Sequence, residues 1–246
     1  LEAAYSLDKK NPEIVNQLAR AYHEYGKRDD ALRVVGEFLT PYPDHQGFWN
    51  LKIQIMREMY LLDDVLAELK KRIKQNPDNL YARQTYLSEL RRRQEFDDCM
   101  KEIAAILSRF EKTLPPKTVE GYKTEYCRMA LKAGKAKSAL TYAEDLATSG
   151  GTSDRILLGQ LYTKSGKWVE AARQFAAVEE KLASAKSAGT AYRSRADMSP
   201  YIDELVLHLN PTQLAEFNYT ERARRVKTVQ AHNRSFYVLF NQYGPM

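Results

Sequence analysis

The sequence predicts an all-α fold assembled from successive antiparallel helix pairs, and three observations lead there. Turn formers are scarce, with 11 glycines and 9 prolines in 246 residues, fewer than an all-β chain of this length needs. Hydrophobic residues make up 43% and charged residues 28%, the balance of a chain that buries a core and stays in water. A small or β-branched residue also recurs at a near-constant interval: Ala31, Val65, Cys99, Ala139 and Ala171 follow one another at steps of 34, 34, 40 and 32 residues.

Each recurrence carries the same surroundings. Four residues later stands Val35, Leu69, Ile103, Ala143 or Phe175, and nine residues earlier stands Tyr22, Met56, Leu90, Ala130 or Tyr162. Five residues earlier, at one shared phase, lie Gly26, Gly134 and Gly166, with Tyr60 and Gln94 in the other two copies. Pro43 and Pro77 close two copies. A small residue lets two antiparallel helices approach, and the larger ones fill the gap to the next pair. No pair buries its apolar face alone, so the pairs must stack.

The last copy reads Leu158-Gly159, Tyr162, Gly166, Trp168, Ala171, Phe175, and the first reads Leu18-Ala19, Tyr22, Gly26, Ala31, Val35, Pro43. This resembles the tetratricopeptide repeat, a helix–turn–helix with an opening W-x2-L-G-x2-Y, then A-x3-F, then proline. The second copy has Trp49 at the opening position but Lys52 in place of leucine. The third is followed by an excess containing Pro115-Pro116, and the fourth runs short. The resemblance implies an α-solenoid of about five pairs over residues 12–186, with turns near Gly26, Tyr60, Gln94, Gly134 and Gly166. Residues 1–11 read as the end of a preceding repeat helix. Asn11-Pro12 repeats Asn76-Pro77, and Leu1 is not a methionine, so the array is expected to continue before the segment.

Residues 187–198 read as a small-residue linker and 199–246 as a non-repeat helical cap. Ser199-Pro200 and Asn210-Pro211 each place a capping residue before a proline suited to the first helical position, and Gln213 completes a capping box. One helix is expected from Pro211 through Leu214, Phe217, Val226 and Val229. The stripe Tyr201, Ile202, Leu205, Val206 and Leu209 is expected to cover the end of the fifth pair. The run Phe236–Phe240 is compatible with helix or strand.

The net charge is +6 and the pI about 9.1, which draws acidic peptide, nucleic acid or anionic lipid without choosing among them. Cys99 and Cys127 form no CxxC pair and fall on small packing positions. The histidines His23, His45, His208 and His232 are scattered, and no phosphate loop or nucleophile motif is present. No catalytic site, metal, cofactor or small-molecule ligand is expected. No run is apolar enough to span a membrane and no targeting segment is visible; the compartment is left open, with a cytoplasmic one favoured.

In the resembled family the first helix of each pair lines the concave face. Its outward positions here are Asn16, Arg20 and His23; Asn50, Gln54 and Arg57; Gln84, Ser88 and Arg91; Thr124 and Arg128; Gln160 and Lys164. These are amides, hydroxyls and cations without an acid among them, suited to an extended or acidic segment of another protein. The expected function is therefore a protein–protein interaction scaffold within a larger assembly. The alternative is an RNA-associated helical repeat, suggested by the basic balance and by Tyr81, Tyr122 and Tyr126. A second interface is drawn from Arg222, Arg225, Phe236, Tyr237 and Phe240. The runs Lys70-Lys71-Arg72 and Arg91-Arg92-Arg93 read as solvated faces.

Overall fold

The computed structural model describes residues 1–149, 151–187 and 198–243, with side chains as far as Ser184 in the second stretch and Ala231 in the third. Every regular element among them is helical. The packing divides into two compact units, residues 1–89 and 90–246, and the division falls within one helix. The first unit holds α1 (Glu2–Leu7), α2 (Pro12–Glu24), α3 (Arg28–Leu39), α4 (Gln46–Glu58), α5 (Leu62–Gln75) and most of α6 (Leu80–Arg92). The second holds the end of α6, then α7 (Phe96–Phe110), α8 (Pro116–Lys132), α9 (Leu140–Ala147) entered through a 3-10 turn, α10 (Thr152–Lys164) and α11 (Trp168–Ser187). It ends with α12 (Ser199–Leu205), α13 (Pro211–Glu216) and α14 (Thr220–Tyr243).

The five turns fall where the repeat phase puts them. Gly26, Tyr60, Gln94, Gly134 and Gly166 all have left-handed backbone, with φ of 73°, 57°, 57°, 68° and 78°. In each case the next N–H returns to the carbonyl five residues back. Lys27 donates to Tyr22 at 2.8 Å, Leu61 to Met56 at 2.9 Å, Glu95 to Leu90 at 3.0 Å, Lys135 to Ala130 at 2.8 Å and Lys167 to Tyr162 at 2.9 Å. This closure satisfies carbonyls that the helix end would otherwise orphan. Glycine adopts that backbone freely; Tyr60 and Gln94 adopt it against side-chain sterics. The five recurring small residues are fully buried just beyond these turns.

The C-terminal segment contains a sixth turn of the same construction, which the repeat phase did not disclose. Asn218 has φ 59°, and the Tyr219 N–H donates to the Leu214 carbonyl at 2.7 Å. Ala223, five residues past the turn, is buried like its counterparts. The single helix expected from Pro211 is therefore two, α13 and α14. The first is short because Pro211 starts it late, behind a complete capping box between Asn210 and Gln213. At α12 the cap position is Met198, so Ser199 is the first helical residue and not the residue before it.

Phe236–Phe240 lies within α14, so its backbone is helical and not a strand; its side chains, with those of His232 and Arg234, lie outside the described residues. So does most of the expected linker, residues 188–197.

Two cores result. In the first unit Val15, Leu18, Ala31, Val34, Val35 and Phe38 pack together. In the second, Cys127, Ala139, Leu161, Ala171, Phe175 and Val178 join Ile202, Leu205 and Val206 of the C-terminal segment. Tyr201 stacks against Phe175 at 6.4 Å between ring centroids, and His208 lies flat on Trp168 at 3.8 Å. At Gly159 α10 comes close to α11: a Cβ there would stand 2.7 Å from the Phe175 ring.

Candidate partner-binding surfaces

In the first unit the outward residues of the first helices hold one another. Arg20 Nε donates to Asn16 Oδ1 at 3.1 Å. His23 Nε2 meets Glu58 at 2.9 Å, and Gln54 donates to the same carboxylate at 3.1 Å. The Tyr81 hydroxyl donates to Asn50. Arg57 pairs with Glu89, whose side chain is almost wholly buried. Gln84 is exposed and Ser88 half-buried on α6.

The second unit repeats the device. Arg91 binds Glu125 through both Nε and a terminal nitrogen, a bidentate pair that fixes the guanidinium plane. Lys164 meets Glu204 of α12 at 2.8 Å. Thr124 and Gln160 are half-buried, whereas Arg128 is exposed and forms no hydrogen bond or ion pair among the described residues. The acids missing from the outward positions are thus supplied by a neighbouring helix: Glu89, Glu125 and Glu204 neutralise Arg57, Arg91 and Lys164, and Glu58 meets His23. Sequence spacing did not reveal this, because the acids stand one position away from the outward register.

Among the clefts on the second unit, two carry arginines of the expected interfaces. One, of about 660 Å³, runs along α8 past Gly121, Thr124, Glu125, Arg128, Met129 and Lys132. Gly121 leaves it open, since no atom lies within 4 Å of where its Cβ would be. With Glu125 held by Arg91, its remaining charges are Arg128, which acts electrostatically on Asp154, and Lys132, whose ammonium sits 5.4 Å from the Phe96 ring. The other, of about 520 Å³, lies between α12 and α14. There Arg222 donates to Asp203 at 2.6 Å and to the Ser199 carbonyl at 3.2 Å. Of the expected second interface, Arg222 and Arg225 line this cleft; the side chains of Phe236, Tyr237 and Phe240 lie outside the described residues.

Several polar residues act in packing instead. Trp49 Nε1 donates to the Pro43 carbonyl at 2.5 Å, and one period later Arg83 Nε donates to the Pro77 carbonyl at 2.8 Å. Each fastens the entry of a first helix to the proline that closes the previous copy. Lys52, at a leucine position, bonds Glu68 at 2.6 Å and sits 5.0 Å from the Trp49 ring. Arg72 is not on a solvated face: it is buried 4.5 Å from the same ring, and desolvation lowers its pKa. Both cysteines are buried, and desolvation raises the thiol of Cys99 to about 11 and that of Cys127 to about 12. Among the described residues no three His, Cys, Asp or Glu side chains gather as metal ligands would, and no helix is long and apolar enough to cross a membrane.

No family model and no curated protein matches the chain. Solved structures of similar backbone include a tetratricopeptide repeat protein from Parabacteroides merdae, 10% identical, covering 87% of this chain and 76% of its own, with TM-score 0.47. A structure of the MamA protein is 15% identical, covering 75% of this chain and 97% of its own, with TM-score 0.47. PilF of Pseudomonas aeruginosa is 12% identical, covering 95% and 92%, with TM-score 0.44. The helix pairs and their turns, and not these distant likenesses, give the chain its all-α helical-repeat fold.

Proposed function

We propose that this protein is an interaction scaffold that holds an acidic, extended segment of another protein along the outward faces of its first helices. The observation that carries the reading is the α8 cleft. It combines the apolar Met129 with an open backbone at Gly121 and two cations, Arg128 and Lys132, while its one acid is neutralised from within the fold. A carboxylate entering there meets positive charge without displacing an existing pair, whereas at Arg57 or Arg91 it would have to compete with Glu89 or Glu125. Gln160, half-buried on α10, is an amide suited to the backbone of an extended chain.

The tyrosines that would support RNA binding are engaged otherwise. Tyr81 is bonded to Asn50, Tyr122 is buried, and Tyr126 meets Tyr142 edge-on at 5.0 Å. Protein binding is accordingly preferred over base stacking.

The test is quantitative capture of partner proteins from source-cell extract by wild type, Arg128→Glu and Gly121→Leu, beside thermal melts. Both variants are expected to lose the captured partner while melting as wild type does, because neither site has a packed neighbour to disturb. Undiminished capture by both would refute the reading.

A further inference from the structure

We infer that the cleft between α12 and α14 docks one amphipathic, acidic helix of a partner protein. The case begins with the sixth turn. Asn218 gives α13 and α14 the geometry of a repeat pair, with Ala223 of α14 buried toward α13 in the role of Ala31 or Ala171. On its wall toward α12, α14 carries Val226, half-buried against the core of the second unit, and Val229, 59% exposed, less than one turn further on. An apolar pair at that spacing, flooring a cleft of about 520 Å³, fits a helix better than an extended strand.

Charge selects the occupant. Along the described part of α14 stand Arg222, Arg224, Arg225 and Lys227 against a single acid, Glu221, which Arg224 engages at 2.9 Å. Arg222 is committed to Asp203 at 2.6 Å. Arg225 lines the cleft and forms no ion pair among the described residues. A second copy of this chain would bring the same cations face to face and be repelled. Nucleic acid would find positive charge, but also Asp203 in the wall and, among the described lining residues, no aromatic ring on which a base could stack. A helix with leucine-like residues one turn apart, flanked by glutamate or aspartate, satisfies both the valines and Arg225.

The test places a photo-crosslinking amino acid at position 229 of the full chain, expressed in its source cells, and sequences the conjugate by mass spectrometry. The expected conjugate is a protein segment with apolar residues at helical spacing and a surplus of acids. Arg225→Glu in the same background is expected to lower its yield by about ten-fold, with the thermal melt unchanged. Conjugates to RNA, to a second copy of this chain, to no partner above background, or with a yield insensitive to Arg225→Glu would each overturn the inference. Position 229 is remote in sequence from the α8 cleft, and Gly121→Leu is expected to leave this conjugate intact, so the two readings fail separately.

Discussion

Tyr60 is 87% exposed and holds a left-handed backbone that three of its counterparts leave to glycine. Its ring has nothing to lose on removal, so Tyr60→Gly relieves the steric cost of that backbone, offset in part by the entropy of a freer unfolded chain. The expected gain is about 1 kcal/mol, read from chemical denaturation. Gly159 gives the opposite sign. A methyl group there would press on the Phe175 ring within a fully buried contact, and Gly159→Ala is expected to cost about 1–3 kcal/mol. The thiols make a third case. Burial holds Cys99 and Cys127 in the protonated, unreactive form well above neutral pH. Neither is expected to react with a thiol reagent at pH 7 until denaturant is added; labelling at the native unfolding-independent rate of a free thiol would contradict the packing.

At the scale of the element, the first helix illustrates how a short piece is held. The six residues of α1 are too few for independent stability, and it is tied to α3 by the Tyr5 hydroxyl, which donates to Glu37 at 2.8 Å, and by Lys9 at 3.1 Å. The Tyr5 hydrogen bond, then that of Lys9, lowers the Glu37 carboxyl from 4.5 to about 2. Because folding lowers this pKa, the contact is at full strength above the ordinary carboxylate value and weakens as pH falls from 4.5 through about 2. Amide exchange over residues 2–7 is therefore expected to speed up across that window before the rest of the unit responds. The ion pairs between successive first helices act at the same scale. Removing Arg57 leaves the Glu89 carboxylate in a buried setting without its guanidinium, and Arg57→Ala is expected to cost about 1–3 kcal/mol. That pair is thus structural, and variants at Arg57 or Arg91 read stability before they read binding.

Across the whole molecule, the sequence made the turns legible because a turn needs few residues to announce itself: a left-handed position, then a small residue five places on. Tyr60 and Gln94 were found without glycine because the steps of 34 fixed their phase. Asn218 was not found, since Ala223 lies 52 residues beyond Ala171 and Pro211 truncates the helix that would have carried the motif. The excess at Pro115-Pro116 was visible but not its use. It goes into the 15 residues of α7 and the 17 of α8, whose first residue is Pro116. The outward positions were legible as a list of residue types and not as a charge balance. Periodicity reports which face a side chain occupies, whereas the acids that pair with those cations come from a neighbouring helix about 32–40 residues away. Arg72 and Arg83 were missed for a related reason. A long cation looks solvated in a sequence until an indole or a carbonyl is found to receive it.

The chain has two tryptophans, Trp49 and Trp168, and the packing gives one to each unit. Trp49 has the Lys52 ammonium at 5.0 Å and the Arg72 guanidinium at 4.5 Å from its ring, while Trp168 lies parallel to the His208 imidazole at 3.8 Å with 6° between the planes. The two indoles therefore sit in chemically distinct surroundings, an ammonium and a guanidinium near one and a flat imidazole on the other. Trp49→Phe and Trp168→Phe would each leave a single intrinsic fluorophore, so that the two halves of the polypeptide can be watched one at a time without an attached dye.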